Sequence, residues 1–200
     1  MDAAPKHDTP VPKHAKRHAD FVLRVILIRH GESLNNALMA VSLDDFNTKR
    51  VPDAPLTAVG EGQAQKVAAH CAALRLSPPA SALYCSAMTR ALHTATTIGS
   101  ALGLRPQLLR DSFEVGGLYA LHPDGSTVGH AGLTALELAA QFPTVDDPTA
   151  VVAADGWYRG ATKESDAEGW KRAVAFVESL RGQAAALTEN ACAVYVSHGD

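Results

Sequence analysis

Val22-Leu23-Arg24-Val25-Ile26-Leu27-Ile28-Arg29-His30-Gly31-Glu32-Ser33 is an apolar, β-branched run that stops abruptly at Arg29-His30-Gly31. A short run of this kind predicts a strand buried in a parallel sheet. Open α/β sheets hold their ligands outside the carboxyl ends of the strands, so the run delivers two polar side chains to the place where chemistry is expected. Arg29 offers a planar, permanently charged fork suited to phosphate or carboxylate oxygens, and His30 is nucleophilic when neutral. Gly31 lets the backbone turn or approach a ligand closely. Alone, the tripeptide describes equally well a strand that ends at the surface in polar residues.

Three further segments aim side chains at the same edge. Cys192-Ala193-Val194-Tyr195-Val196 reads as a strand ending in Ser197-His198-Gly199-Asp200, so a second strand delivers a histidine and a glycine to its end. Ala82-Leu83-Tyr84-Cys85 reads as a strand terminating at Ser86, followed by a helix from Thr89 to Leu102 with Arg90 in its first turn. A cation there opposes the helix macrodipole unless an anion shares the site, which makes Arg90 either an anion ligand or a solvated surface residue. Leu104 to Leu109 reads as a short strand, and Arg110-Asp111-Ser112-Phe113-Glu114 leaves it toward the same edge. Glu114 is the best-placed carboxylate for proton transfer, with Asp111 its competitor; either also fits an ordinary loop acid. Asn36 is near enough to His30 in sequence to donate a hydrogen bond into the site.

Between these segments lie covering helices and loops. Asn35 to Pro55 reads as a short helix followed by a loop. Thr57 is a plausible N-cap, with Glu61 in the first turn and Ala64, Val67, Ala68, Cys71 and Leu74 at helical spacing up to Pro78-Pro79. The stretch from Gly116 to Gly132 is too irregular for a regular element and long enough for a binding loop or lid. Thr134 to Phe142 predicts a short helix, and Pro143 to Ser165 an acidic connection whose Trp157 and Tyr158 either wall a pocket or cover the core. Asp166 to about Leu187 predicts a long amphipathic helix. The order of elements is that of a three-layer α/β/α sandwich around a mostly parallel sheet.

Composition narrows the function classes. The chain has 200 residues, 46% hydrophobic, which suffices for one domain with a sizeable core. A formal charge of −3 gives no basic footprint for nucleic acid, and no apolar run is long enough to span a bilayer. Cys71, Cys85 and Cys192 are odd in number and widely spaced, which suits buried reduced thiols rather than a disulfide framework. Residues 1–20 combine Pro5, Pro10 and Pro12 with Lys, Arg and His and predict a disordered basic tail, in which the irregular spacing of His7, His14 and His18 favours a solvated arm over adventitious metal binding. That tail lacks the apolar segment of a secretory signal, and its Asp residues disfavour a transit peptide, so a cytoplasmic protein is expected. Oligomeric state is not legible.

Taken together, Arg29-His30-Gly31-Glu32-Ser33, Leu56-Thr57-Ala58-Val59-Gly60-Glu61-Gly62-Gln63-Ala64, Ser86-Ala87-Met88-Thr89-Arg90-Ala91-Leu92-His93-Thr94-Ala95 and Ser197-His198-Gly199 resemble the histidine phosphatase superfamily, in its phosphoglycerate-mutase-like branch. The resemblance spans about residues 22 to 200 and rests on the conjunction of motifs in order. It implies a phosphoglycerate-mutase-like fold, with His30 as phosphorylated nucleophile, Arg29, Arg90 and His198 gripping the phosphoryl group, and Glu114 protonating the leaving group. Asn36 matches an asparagine that helps bind phosphate. Gly199 falls where the family's next helix starts and turns its amides toward phosphate. The family usually continues with another helix and strand, so the expected domain, residues 21–200, is a truncated one.

The residue chemistry is consistent with these roles. Phosphoryl transfer asks for positioning and for positive charge around the equatorial oxygens, which two guanidinium groups and a second imidazole supply without metal or cofactor. Those cations also disfavour the imidazolium form of His30. Phosphoglycerate mutases carry a Glu-Arg-His stretch at the acid position, whereas this chain reads Phe113-Glu114-Val115-Gly116-Gly117, a departure that favours hydrolysis. Between Val115 and Ser165 the basic residues are Arg159 and Lys163, besides histidine, which argues against a densely charged substrate. The expectation is a metal-independent phosphomonoesterase acting on a small phosphorylated metabolite or phosphopeptide. The alternatives are a mutase-type phosphotransferase and a non-catalytic phospholigand-binding module.

Overall fold

The last strand of the chain lies inside the sheet rather than at its edge. The computed structural model describes residues 21–199, so the expected basic tail and Asp200 lie outside the described residues. Its main sheet holds β1 (Leu23–Arg29), β2 (Ala82–Cys85), β3 (Pro106–Leu108) and β6 (Ala191–Ser197), all parallel, in the order β1-β6-β2-β3. The insertion of β6 between β1 and β2 forms the kind of switch point where such sheets bind ligands. In the register, Arg29 pairs with Ser197, and Ile28 pairs with Val196, which in turn pairs with Cys85. Strands β1 and β6 therefore finish level and β2 one residue earlier, and the following residues, His30, His198 and Ser86, emerge at one edge.

Helices cover both faces. Leu83, Cys85, Val194 and Val196 point to one face and bury against Ala91, Leu92, Ala95 and Ile98 of α4 (Thr89–Leu102). Helix α3 (Ala58–Ala73) packs on α4 through Ala64, Ala68 and Cys71. Tyr84 and Tyr195 point to the other face, where their rings stack at 4.8 Å and meet α6 (Asp166–Ala185) through Phe176 and Gln183. That second cover is thin. Within α6 only Gly169 is buried, and Leu27 on β1 remains 65% exposed, so the amphipathic face expected of this helix is less fully used than its spacing suggests.

Local chemistry explains the helix starts. Thr57 accepts from Gly60 N at the start of α3, as its position predicts. Ser33 with Asn36, Thr134 with Glu137 and Ser165 with Glu168 form reciprocal capping boxes for α1 (Leu34–Val41), α5 (Ala135–Gln141) and α6. The N-terminus of α4 is capped from a distance: Asp53 accepts from Thr89 N at 3.0 Å and from Thr89 Oγ1 at 2.8 Å.

The structure corrects several boundaries. Residues 34–49 form two helices, α1 and α2 (Leu43–Lys49), divided at Ser42, which caps the second. Helix α3 ends at Ala73, ahead of the prolines, and β3 is confined to three residues. The stretch expected to be irregular contains an antiparallel hairpin, β4 (Tyr119–Leu121) with β5 (Thr127–Gly129). Its turn is closed by Asp124, which accepts from Ser126 N and Oγ, and by Gly125 at φ +84°. The strands are too short for alternation to show in the sequence. Trp157 and Tyr158 are buried in the core around Phe113, and they also line a cleft of about 440 Å³. Among the described residues no helix is long and apolar enough to cross a membrane.

Candidate active site

His30 leaves β1 with its backbone N–H bonded to Ser197 O at 3.0 Å. Its ring is buried, and Nδ1 lies 2.6 Å from Gly31 O. A carbonyl accepts only, so Nδ1 carries the proton. Arg90 Nε donates to Nε2 at 3.1 Å, and a guanidinium has no lone pair to offer, so Nε2 holds the free electron pair. The arrangement fixes the neutral Nδ1–H tautomer. Burial is the main cause that lowers the pKa of His30 to about 4; Arg90 and Arg29 add to the effect and the Gly31 bond opposes it.

The ring of His198, at the end of β6, lies with its centroid 5.0 Å from that of His30. Its Nε2 is 2.9 Å from Ser86 Oγ, while Nδ1 is enclosed and has no hydrogen-bond partner among the described residues. Burial first, then Arg90, His30, Arg172 and Arg29, hold its pKa well below the usual imidazole range. Arg90 is buried and bridges the site: besides His30, its Nη2 donates to Glu114 Oε2 at 2.5 Å. The cation that its helix position made anomalous thus faces a carboxylate and a histidine. Arg29 lies across Gly199, whose backbone leaves so little room that an added Cβ would sit 2.9 Å from Arg29 Nε.

His30, Glu114 and His198 each turn one potential ligand atom toward a common point, all within 4.8 Å of one another. The Arg90 guanidinium is bonded to two of the three, and the charge of Arg29 adds a smaller part to the lowered pKa of both imidazoles. Such a locus suits a tetrahedral oxyanion better than a divalent cation.

The structure thus brings His30, Arg90, Glu114 and His198 together, leaves Arg29 exposed beside Gly199, and gives Asn36, Glu32 and Asp111 local contacts. Asn36 Oδ1 accepts from Ser33 N and Oγ, which commits that oxygen to the start of α1. Glu32 accepts from Thr57 Oγ1 at 2.6 Å. Asp111 contributes its carbonyl to Arg172. His93 is exposed and stacks edge-on against Phe142, which fits a packing role. Cys71, Cys85 and Cys192 are buried free thiols.

Sequence reading missed several neighbours. Thr94 accepts from Gly31 N at 3.1 Å and donates to Arg90 O, tying β1 to α4. Arg50 donates to Tyr119 O at 2.7 Å and stacks 3.8 Å above the Tyr119 ring, so a guanidinium from outside residues 115–165 reaches their hairpin. Arg172, sixty residues from the segment it holds, carries no motif. Asp53 carried no signal at its own position; the hint lay at α4, whose N-cap residue Met88 makes no side-chain capping bond.

Residues 25–117 match the family model described as histidine phosphatase superfamily (branch 1). Over this segment the chain is similar to the histidine phosphatase superfamily. Solved structures similar to the chain share its phosphoglycerate-mutase-like α/β fold. A candidate alpha-ribazole-5'-P phosphatase from Escherichia coli str. K-12 substr. MG1655 is 20% identical, with TM-score 0.51, covering 88% of this chain and 73% of its own. The alpha-ribazole phosphatase from Shigella flexneri is 21% identical, with TM-score 0.50 and the same coverage of 88% and 73%. A mycobacterial glucosyl-3-phosphoglycerate phosphatase complexed with VO3 is 20% identical, with TM-score 0.50, covering 88% and 75%. At this identity the likeness to these structures establishes the fold alone. No curated protein sequence matches the chain.

Proposed function

We propose that the chain is a metal-independent phosphomonoester hydrolase that works through a phosphohistidine on His30. The observation that carries the reading is the state of His30: Nδ1–H is held by Gly31 O, and the Nε2 electron pair faces a guanidinium shared with Glu114. A phosphate seated there exchanges its oxygens for the Arg90–His30 contact. Nε2 then forms an N–P bond as the ester P–O bond breaks, and the departing alkoxide takes its electron pair and a proton from protonated Glu114. The resulting carboxylate removes a proton from water, whose oxygen attacks phosphorus, breaks the N–P bond and returns His30 to its neutral form. Arg29 and Arg90 neutralise the equatorial oxygens in both steps, and His198, kept neutral by its burial and the nearby cations, contributes a hydrogen bond rather than charge.

The substrate class that fits is a small phosphorylated metabolite, a reading in keeping with the names of the structural relatives and with a site of limited charge. The test is release of inorganic phosphate from p-nitrophenyl phosphate and a panel of sugar phosphates, with chelator present and no bisphosphorylated primer. Turnover is expected under those conditions, and His30→Ala is expected to lower it by about a thousandfold or more. A dependence on primer with little free phosphate would make the chain a phosphotransferase, and phosphate binding without release would make it a binding module.

A further inference from the structure

The carboxylate assigned as acid sits on a segment with little structure of its own. Between β3 and the hairpin, residues 109–118 form turns, and their internal backbone bonds are Ser112 N to Leu109 O at 3.3 Å and Gly117 N to Glu114 O at 2.9 Å. Proton transfer demands a carboxyl held to within a fraction of an ångström, so the segment has to be positioned from outside. Ser197 Oγ makes one tie, to Ser112 O at 3.3 Å. Leu109 N bonds Cys85 O at 2.9 Å, Arg110 donates to Val151 O, and Arg90 Nη2 holds the Glu114 carboxylate itself. The ties to the backbone on either side of Glu114 converge on one ion pair. Arg172 Nη1 donates to Asp111 O at 2.8 Å and Phe113 O at 3.0 Å, and its guanidinium lies 3.5 Å above the Phe113 ring. Its Nε and Nη2 grip Glu164 Oε1 and Oε2 at 2.7 and 2.6 Å. Glu164 in turn accepts from Gly116 N at 3.3 Å through its side chain and donates to Gly116 O at 3.0 Å through its backbone. The residues on either side of Glu114 are thus clamped by two partners that are themselves 18% and 9% exposed, bound fork to fork.

We infer that Arg172 and Glu164 are positioning residues that hold the Glu114 carboxyl in line with the leaving oxygen, an inference that rests on Glu114 as the proposed acid. The fork is what the geometry uses: one guanidinium bonds two carbonyls and a carboxylate and stacks on a ring at once. A lysine keeps the charge and cannot make that set of bonds. A residue acting through Glu114 matters in proportion to how much the leaving group needs a proton. An alkoxide needs one, whereas p-nitrophenolate departs without it.

The experiment compares Arg172→Lys, Glu164→Gln, Glu114→Gln and the Arg172→Lys/Glu114→Gln double variant on glycerol phosphate and p-nitrophenyl phosphate. Arg172→Lys is expected to lower kcat on glycerol phosphate by about 10- to 100-fold and on p-nitrophenyl phosphate by less than about threefold, with KM nearly unchanged. The double variant is expected to be no slower than Glu114→Gln, because the brace has nothing left to position. Glu164→Gln gives the same selectivity through the other partner and supplies the reading if Arg172→Lys does not fold. Equal losses on both substrates, or additive losses in the double variant, overturn the inference while leaving a selective Glu114 as the acid. A Glu114→Gln variant that treats both substrates alike removes the acid assignment itself, and the brace with it.

Discussion

At the scale of single residues, His30 shows how a strand end tunes a side chain. The same burial that hides the ring lowers its pKa, and the carbonyl of its neighbour selects which nitrogen keeps the lone pair. The sign follows directly: a histidine with pKa about 4 is neutral throughout the range where an ordinary one, near 6.5, becomes charged. The acid limb of kcat/KM is therefore expected near pH 4, with no loss of the nucleophile between pH 7 and 5, and proton NMR titration of His30 in the free protein is expected to give the same midpoint. A midpoint near 6.5 would contradict the enclosed, cation-flanked ring. Arg29, His30 and His198 were legible because each follows an apolar run, and Arg90 because a cation at a helix N-terminus conflicts with the dipole. Arg172 was not, since in sequence it is one of several charges on a solvated helix and its role depends on contacts from Glu164 and residues 111–113.

At the scale of elements, the site depends on how tightly the end of β1 meets the start of α3. A Cβ on Gly31 would approach Gly60 O to 2.3 Å, and one on Gly60 would approach Glu32 O to 2.0 Å, so neither backbone can yield. Gly62, two residues further along α3, has nothing within 4 Å of such a Cβ. Gly60→Ala is expected to destabilise by about 1–3 kcal/mol or more, and Gly62→Ala to stabilise by roughly 0.5–1 kcal/mol. Urea unfolding of the two variants checks the contrast, and equal effects would mean the close approach is not a constraint. Both glycines stand in one quoted motif, and nothing in the sequence separates the one that is packed from the one that is not. Strands β1, β2 and β6 and helix α4 were legible from apolar runs and clear stops. The β4–β5 hairpin was not, because three-residue strands show no periodicity and the Asp124-Gly125 turn is its only signal.

At the scale of the whole molecule, the parallel order β1-β6-β2-β3 is what makes the chemistry possible, because it sets the first and last strands side by side and brings two histidines from opposite ends of the described chain to one edge. Helix α4 adds a guanidinium that touches both His30 and Glu114, and the segment after β3 adds the carboxylate. Sequence order alone predicted the layers, and the strand order followed only from the structure, since nothing in the residues of β6 states that it inserts between β1 and β2. The central claim is that this assembly transfers phosphate to His30 before water. Rapid acid-free quenching of the protein during turnover of 32P-labelled p-nitrophenyl phosphate, whose leaving group needs no proton, followed by peptide mapping, tests it most directly. The label is expected on His30, acid-labile and base-stable, accumulating further in Glu114→Gln and absent in His30→Ala. A label on any other residue, or turnover at the native rate by His30→Ala with no labelled protein, would contradict the account.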